Sequence, residues 1–332
     1  MKIFLYKAEY CFYNKILVLI YNARQVFSVT LSYLPVQFTI KFETPALADT
    51  PPLFILRSVL GWKLRSLCCI AHSIECSSCI YKGTCAYTFL FETIIPAENE
   101  VVPGRNRASH PYAFTQDEKL GRQLVSKYKF TMTLFGKAID YLPYLYAALV
   151  RAGKEGLFKT RTPFAITEVM AADKNILVAE DQLDVHVPAM VMEVSDKGES
   201  KKGEVLVELK SPLRFKAGGK YGLDFTAQDF MGCLYRRAKT LCQLYGKDDD
   251  DMQYSQTGAK KITGKALQWA ERTHYSARQK AVMKLGGALG TFKIEGEFSP
   301  MDISLLEFAK NCNAGKNTNF GLGQVDFWPK WE

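Results

Sequence analysis

MDISLLEFAKNCNAGKNTNFGLGQVDFW, residues 301–328, reads as a helix, a loop holding Gly315, Lys316, Gly321 and Gly323, and a closing strand. Glycines free the backbone to turn and let another backbone approach closely, while Lys316, Asn317, Thr318 and Asn319 add donors. Such a loop suits a polyanion. It is not an NTP-binding loop, because the G-x-x-x-x-G-K-[ST] spacing is absent and the strand follows the glycines instead of preceding them. A Gly/Asn-rich connection without a ligand is the plainer alternative.

Upstream of that closing unit the second half follows a recognisable order. Glu204 to Leu209 reads as a strand, Thr226 to Tyr245 as a helix, and Asp248 to Asp251 as a solvated acidic loop. Two strands follow, Arg272 to Leu285 and Gly290 to Phe298, then the helix Ile303 to Asn311 and the final strand. The order β-α-β-β-α-β is the ferredoxin-like, RRM-like plan. The first half fits it with insertions: a strand at Val36 to Phe42, a helix at Leu53 to Leu67, a strand at Lys127 to Leu134, a helix at Ala138 to Ala152, and strands at Ala165 to Val169 and Val185 to Val194. The expectation is an α+β chain of two tandem ferredoxin-like domains, residues 33–195 and 204–328, with a Cys-rich insertion in the first. Residues 196–203, polar and Gly-punctuated, are the expected linker. Residues 1–32 read as a leader or a start assigned too early, since the organised pattern begins near Tyr33.

The formal charge of +9 favours a polyanionic partner, and 48% hydrophobic content marks an ordered globular chain. The short apolar run Ile16 to Tyr21 falls far below the roughly 20 residues of a membrane span, so a cytoplasmic protein is expected. The nine cysteines lie mostly in the first third of a chain too large to need disulfide staples. Cys76-Ser-Ser-Cys79-Ile-Tyr-Lys-Gly-Thr-Cys85 has C-x2-C-x5-C spacing inside the loop 68–85. With Cys69 as fourth ligand, and Cys68 and His72 as competitors, it suits a structural zinc ion, or an iron–sulfur cluster, closed to chemistry by four thiolates. Reduced thiols packed in a core are the alternative.

In Glu271-Arg-Thr-His-Tyr-Ser-Ala-Arg-Gln-Lys280, strand alternation puts Arg272, His274, Ser276, Arg278 and Lys280 on one face. Their spacing of roughly 7 Å matches the step of an extended RNA backbone, and a histidine among cations has its pKa pushed down, as a general base needs. A solvated strand face is the alternative. His110, ahead of Pro111, reads as an exposed loop residue. No H-E-x-x-H pair and no G-x-S-x-G elbow occurs, which removes metalloprotease and serine-hydrolase readings.

Taken together, LRSVLGWKLRSLCC (56–69), CSSCIYKGTCAYTFLFE (76–92), FTMTLFGKAIDYLPYLYAAL (130–149), ELKSPLRFK (208–216), HYSARQKAVMKLGGALGTFKIEGE (274–297) and AGKNTNFGLGQV (314–325) resemble the CRISPR precursor-RNA-processing endoribonucleases, the sixth Cas protein family, within the RAMP superfamily. The resemblance implies cleavage of repeat RNA without a catalytic metal, by 2′-OH attack that leaves a 2′,3′-cyclic phosphate. It implies repeat or guide RNA as partner, with subunits of a CRISPR effector complex as further candidates and no membrane. RNA contacts are then expected from Arg272, Ser276, Arg278, Lys280, Gly315, Lys316, Asn317, Thr318, Gly321 and Gly323. His274 is the candidate base or acid, Tyr275 an outside candidate on the opposite strand face, and Lys316 the candidate for charge stabilisation. Two departures stand out: the first helix lacks the histidine many relatives carry there, and Asn313 replaces another common histidine. The Asn313 departure motivates the alternative of a non-catalytic guide-RNA-binding subunit.

Overall fold

The computed structural model describes residues 28–332 apart from 97, 100, 103, 118–121, 181, 247–251, 256–257 and 277–280, with only the backbone of Tyr275 and Ser276. The first long strand, β1 (Ser28–Ala48), organises the molecule. Val29, Leu31 and Tyr33 are buried on one face, and Leu34, Val36, Phe38, Ile40 and Phe42 on the other. Because strand side chains alternate, one strand therefore feeds two cores: the odd set joins the C-terminal core and the even set the N-terminal one. Burying each such aliphatic or aromatic side chain stabilises by about 1.5–3 kcal/mol. The segment ahead of Tyr33, expected to be leader, thus contributes Ser28 to Ser32 to the fold; residues 1–27 lie outside the described region.

Helix α1 (Pro52–Cys68) follows, started by Pro52, whose missing N–H is harmless in a first turn. It buries Leu53, Leu56, Leu60 and Leu64 at helical spacing. Strands β2 (Tyr112–Thr115) and β3 (Gln123–Phe135) come next, then α2 (Leu142–Glu155) and β4 (Phe164–Ala171). Short strands β5 (Lys174–Asn175), β6 (Leu177–Ala179) and β7 (Gln182–Leu183) lead to β8 (Met190–Ser195). The sheet order β2-β3-β1-β4 is ferredoxin-like, with β5 added at the edge and β8 paired to the start of β1, Ser28 opposite Ser195. The four-residue β2 carries too little alternation to be legible in the sequence.

The second unit contains β9 (Lys201–Leu213), α3 (Ala227–Tyr245), β10 (Lys260–Ala270), a hairpin of β11 (Thr273–Ser276) and β12 (Ala281–Lys284), β13 (Gly287–Phe298), α4 (Pro300–Cys312) and β14 (Val325–Trp331). Its order β10-β13-β9-β14 repeats the same plan. Both helices begin with capping boxes, Thr226 with Asp229 and Ser299 with Asp302, which satisfy backbone N–H groups the helix leaves open. Phe230, Leu234, Ala238 and Leu241 of α3 and Leu305, Phe308 and Ala309 of α4 cover the sheet.

One expected strand is corrected. Arg272 to Leu285 is not the second strand of this sheet, a place taken by β10; it is the separate hairpin β11–β12. Ser276 pairs with Ala281, so Arg272 to Leu285 is not one continuous strand, and of the expected basic row only Arg272 and His274 have described side chains. Arg278 and Lys280 lie outside the described residues.

Asn313 closes the gap between the units. It is fully buried at positive φ, and its amide donates to the Phe114 carbonyl of β2 at 2.9 Å and to the Leu322 carbonyl at 3.1 Å. Asn313→Ala leaves both buried acceptors unmatched and is expected to lower unfolding stability by on the order of 2–3 kcal/mol, measured as a reduced urea midpoint.

Candidate functional site

The glycine loop lies mostly inside the protein. Gly321 and Gly323 are buried at φ 79° and 73°. A Cβ on Gly321 would come within 2.3 Å of Leu53 on α1, and one on Gly323 within 1.8 Å of the Ala314 carbonyl oxygen. Close approach therefore requires both glycines. The loop amides are used internally: Ala314 N–H donates to Gly323, Lys316 N–H to Arg214, Gly321 N–H to Thr318 and Gly323 N–H to Pro212. Thr318 is buried and accepts from Arg237 at 2.9 Å, while the same guanidinium donates to the Cys312 carbonyl at 3.1 Å. This interior position departs from an amide-lined cradle for a polyanion. Gly315 and Asn317 are half-buried, and Lys316 alone among the named loop residues is exposed.

What the loop does build is a wall for the β11–β12 hairpin. Phe320 and Leu322 from the loop, Phe54 from α1 and Leu285 from beyond β12 form a small apolar cluster, with Met283 packed against it. That cluster carries His274. Its ring meets Phe54 edge-on with centroids 5.8 Å apart and Phe320 at 5.1 Å, and its Nε2 lies 3.5 Å from the Ser58 hydroxyl. Burial lowers the His274 pKa from its ordinary value, and the Arg57 charge lowers it further.

Arg57, half-buried on α1, is the charged residue of this junction. Its Cζ sits 5.0 Å from the Phe320 ring centre and 5.5 Å from Phe91. Its Nη2 lies 3.3 Å from His110 Nε2. A guanidinium can only donate, so this nitrogen of His110 accepts and its proton resides on Nδ1. His110 is half-buried, where an exposed loop residue was expected, and its ring stacks on Tyr112 at 5.5 Å. Desolvation, with the Arg57 charge added, holds its pKa down at about 3.

Beside this junction a cleft of about 540 Å³ opens between the two units, lined by Gln116, Arg122, Ser211, Arg272, Phe54 and Phe320. Arg272 is exposed there. Tyr275 and Ser276 are placed by backbone alone, opposite Val282 and Ala281. The structure sets Lys316 beside Tyr221, its Nζ 5.8 Å from that ring centre. Sequence reasoning placed Arg57 and Ser58 on an amphipathic helix without a site role. One signal was present: adjacent cationic and hydroxyl residues on a helix otherwise packed with leucine.

Cys69, Cys76, Cys79 and Cys85, with Cys68, line one cavity of about 290 Å³ together with Tyr141 and Tyr144. All are free thiols. Among the described residues no three His, Cys, Asp or Glu side chains converge as a ready metal-binding group. Among them, too, no helix is long and apolar enough to cross a membrane.

Residues 207–325 match the family model of the CRISPR-associated endoribonuclease Cas6, and residues 31–189 match a family model described as an N-terminal domain. No curated protein matches the sequence. Among solved structures, a Thermus thermophilus Cas6 product complex superposes with a TM-score of 0.50 at 14% identity, covering 89% of this chain and 100% of that one. A partial Cas6-RT-Cas1–Cas2 complex gives a TM-score of 0.50 at 13% identity, covering 91% of this chain and 46% of that one. At these identities the likeness is one of fold.

The His110 pKa sets a pH dependence of stability. The unfolded chain takes up a proton near the ordinary value of 6.5, while the folded chain resists to about 3. Stability is therefore expected to fall as pH drops through that window, and urea midpoints should show a shallower fall for His110→Gln.

Proposed function

Because residues 207–325 match the model of the CRISPR-associated endoribonuclease Cas6, we propose that this chain is a RAMP-type endoribonuclease of that kind, which recognises and cuts CRISPR repeat RNA by attack of a ribose 2′-OH on the adjacent phosphorus, with no catalytic metal. The observation that supports this reading best is the meeting of the His274 imidazole, the Arg57 guanidinium and the Ser58 hydroxyl beside the inter-unit cleft. His274, with its lowered pKa, is neutral at neutral pH and takes the 2′-OH proton. The oxygen then bonds to phosphorus as the bond to the 5′ oxygen breaks, and the leaving oxygen takes a proton from water. The products are a 2′,3′-cyclic phosphate and a 5′-hydroxyl. Arg57 supplies positive charge to the phosphorane: it has no carboxylate partner among the described residues, and two phenyl rings keep its surroundings low in dielectric. This role passes to Arg57 from Lys316. Arg272, on the cleft wall, is assigned to the RNA backbone.

Cleavage of the cognate repeat hairpin in EDTA, giving the cyclic phosphate, is the expected result. His274→Ala should lower the single-turnover rate by about 10²–10⁴-fold with RNA still bound. Arg57→Gln should lower it by about 10²–10³-fold and move the acid limb of the pH profile upward, since a cation that depresses His274 is gone. Tight binding without turnover across roughly pH 5–9 would instead identify a guide-RNA-binding subunit, the role that a buried, purely structural Asn313 favours.

The cysteine loop is assigned a structural metal, zinc or an iron–sulfur cluster, held by Cys69, Cys76, Cys79 and Cys85. The turn in which Cys79 N–H bonds to the Cys76 carbonyl, and the exposure of Ile70, Ile74 and Ile80, support it: the loop has no apolar core of its own to fix it. Elemental analysis should find one zinc per chain, or iron in its place, and Cys79→Ser should lose it; metal retained at full stoichiometry would remove the assignment.

A further inference from the structure

The segment that follows β9 and the exposed corner of the glycine loop meet at a second aromatic–cation group, separate from His274. Arg214 lies with its Cζ 3.9 Å from the Tyr221 ring centre, close enough for the guanidinium to lie on the ring face. Lys216 and Lys316 bring their Nζ atoms to 5.5 Å and 5.8 Å of the same ring. The group is built and not merely crowded. Arg214 Nη1 donates to the Gly286 carbonyl at 2.8 Å, and its own carbonyl accepts the Lys316 N–H at 2.8 Å, so two loops are locked together around Tyr221.

Charge is left unbalanced here. Several other cations of this unit are paired, Lys210 with Asp326, Lys260 with Asp302 and Lys293 with Glu204. Among the described residues, Arg214, Lys216 and Lys316 have no carboxylate partner, and Lys216 and Lys316 are exposed. Three cations converging on one half-buried ring repel one another, an arrangement that an anion relieves. A planar group with a phosphate attached fits both parts: the ring and guanidinium offer a stacking surface, and the two ammonium groups offer charge.

The geometry points to a subsite for an unpaired ribonucleotide, its base stacked on the Tyr221–Arg214 pair and its phosphate held between Lys216 and Lys316. This subsite rests on the repeat-RNA reading and extends it, because Pro212 and Ser211, which line the inter-unit cleft, run directly into Arg214. Substrate strand leaving the cleft meets this group next. Lys316 thus serves grip on a flanking nucleotide and not the reacting phosphorus.

The test is a set of repeat RNAs carrying 2-aminopurine at successive unpaired positions, titrated with the full chain. One position should show stacking-induced quenching, lost in Tyr221→Ala and kept in Tyr221→Phe. Tyr221→Ala should weaken binding of the full repeat by about tenfold, the usual scale of one aromatic–base stack. Replacing both Lys216 and Lys316 by Ala should lower the slope of log K against log salt by about 0.7, the value for one phosphate contact on a single strand. Thermal melting checks that each variant is folded. Wild-type cleavage with no quenching at any position, and unchanged affinity in folded Tyr221→Ala, would overturn the subsite while leaving the endoribonuclease reading intact. Failure to bind or cut the repeat, with Tyr221-dependent binding of a single-stranded RNA hexamer, would overturn that reading and leave the subsite. Binding of neither RNA would overturn both.

Discussion

The amide of Asn313 is the constraint from which the rest of the architecture follows. It links a carbonyl of β2 in the first unit to a carbonyl of the glycine loop in the second, deep in a region where an unmatched acceptor is expensive. Arg237 completes the junction. Its buried guanidinium, with no carboxylate partner among the described residues, donates to the end of α4 and to Thr318, and lies 5.9 Å from the Phe135 ring of β3. With the Asn313 amide nitrogen and the Arg237 guanidinium bonded, the loop packs so tightly that only hydrogen fits at Gly321 against Leu53 of α1 and at Gly323 against the Ala314 backbone. Phe320 is then delivered to the place where His274 needs a wall.

From this follows the electrostatic character of the candidate centre. Arg57 is shared by two half-buried histidines whose pKa values are both lowered, that of His110 the further. His110 is held neutral, so it serves as an acceptor that steers the guanidinium. His274 is half-buried, and burial together with the Arg57 charge lowers its pKa. Rings of Phe91 and Phe320 flank the Arg57 guanidinium, and Phe54 meets the His274 ring edge-on.

The two ferredoxin-like units are not beads on a string. Strand β1 supplies side chains to both cores, and its first residues pair with β8 to form a surface on which the C-terminal core closes. The cleft between the units carries Arg122 and Arg272 on its wall together with the carboxylates of Asp49 and Glu271.

The tandem β-α-β-β-α-β order was legible in the sequence because long alternating strands and leucine-spaced helices carry their periodicity locally, as Val36 to Phe42 and Leu53 to Leu64 do. His274 was legible as a candidate because few other histidines compete with it. The second strand of the C-terminal sheet was missed: Lys260–Ala270 is largely exposed and has weak alternation, whereas the basic run after it alternates well and proved to be a hairpin. The half-burial of His110, the partnership of Arg57 with His274, and the interior fate of the glycine loop belong to tertiary structure alone. Each depends on groups brought together from segments more than fifty residues apart, and local sequence records what a residue can offer but not which distant neighbour will take it.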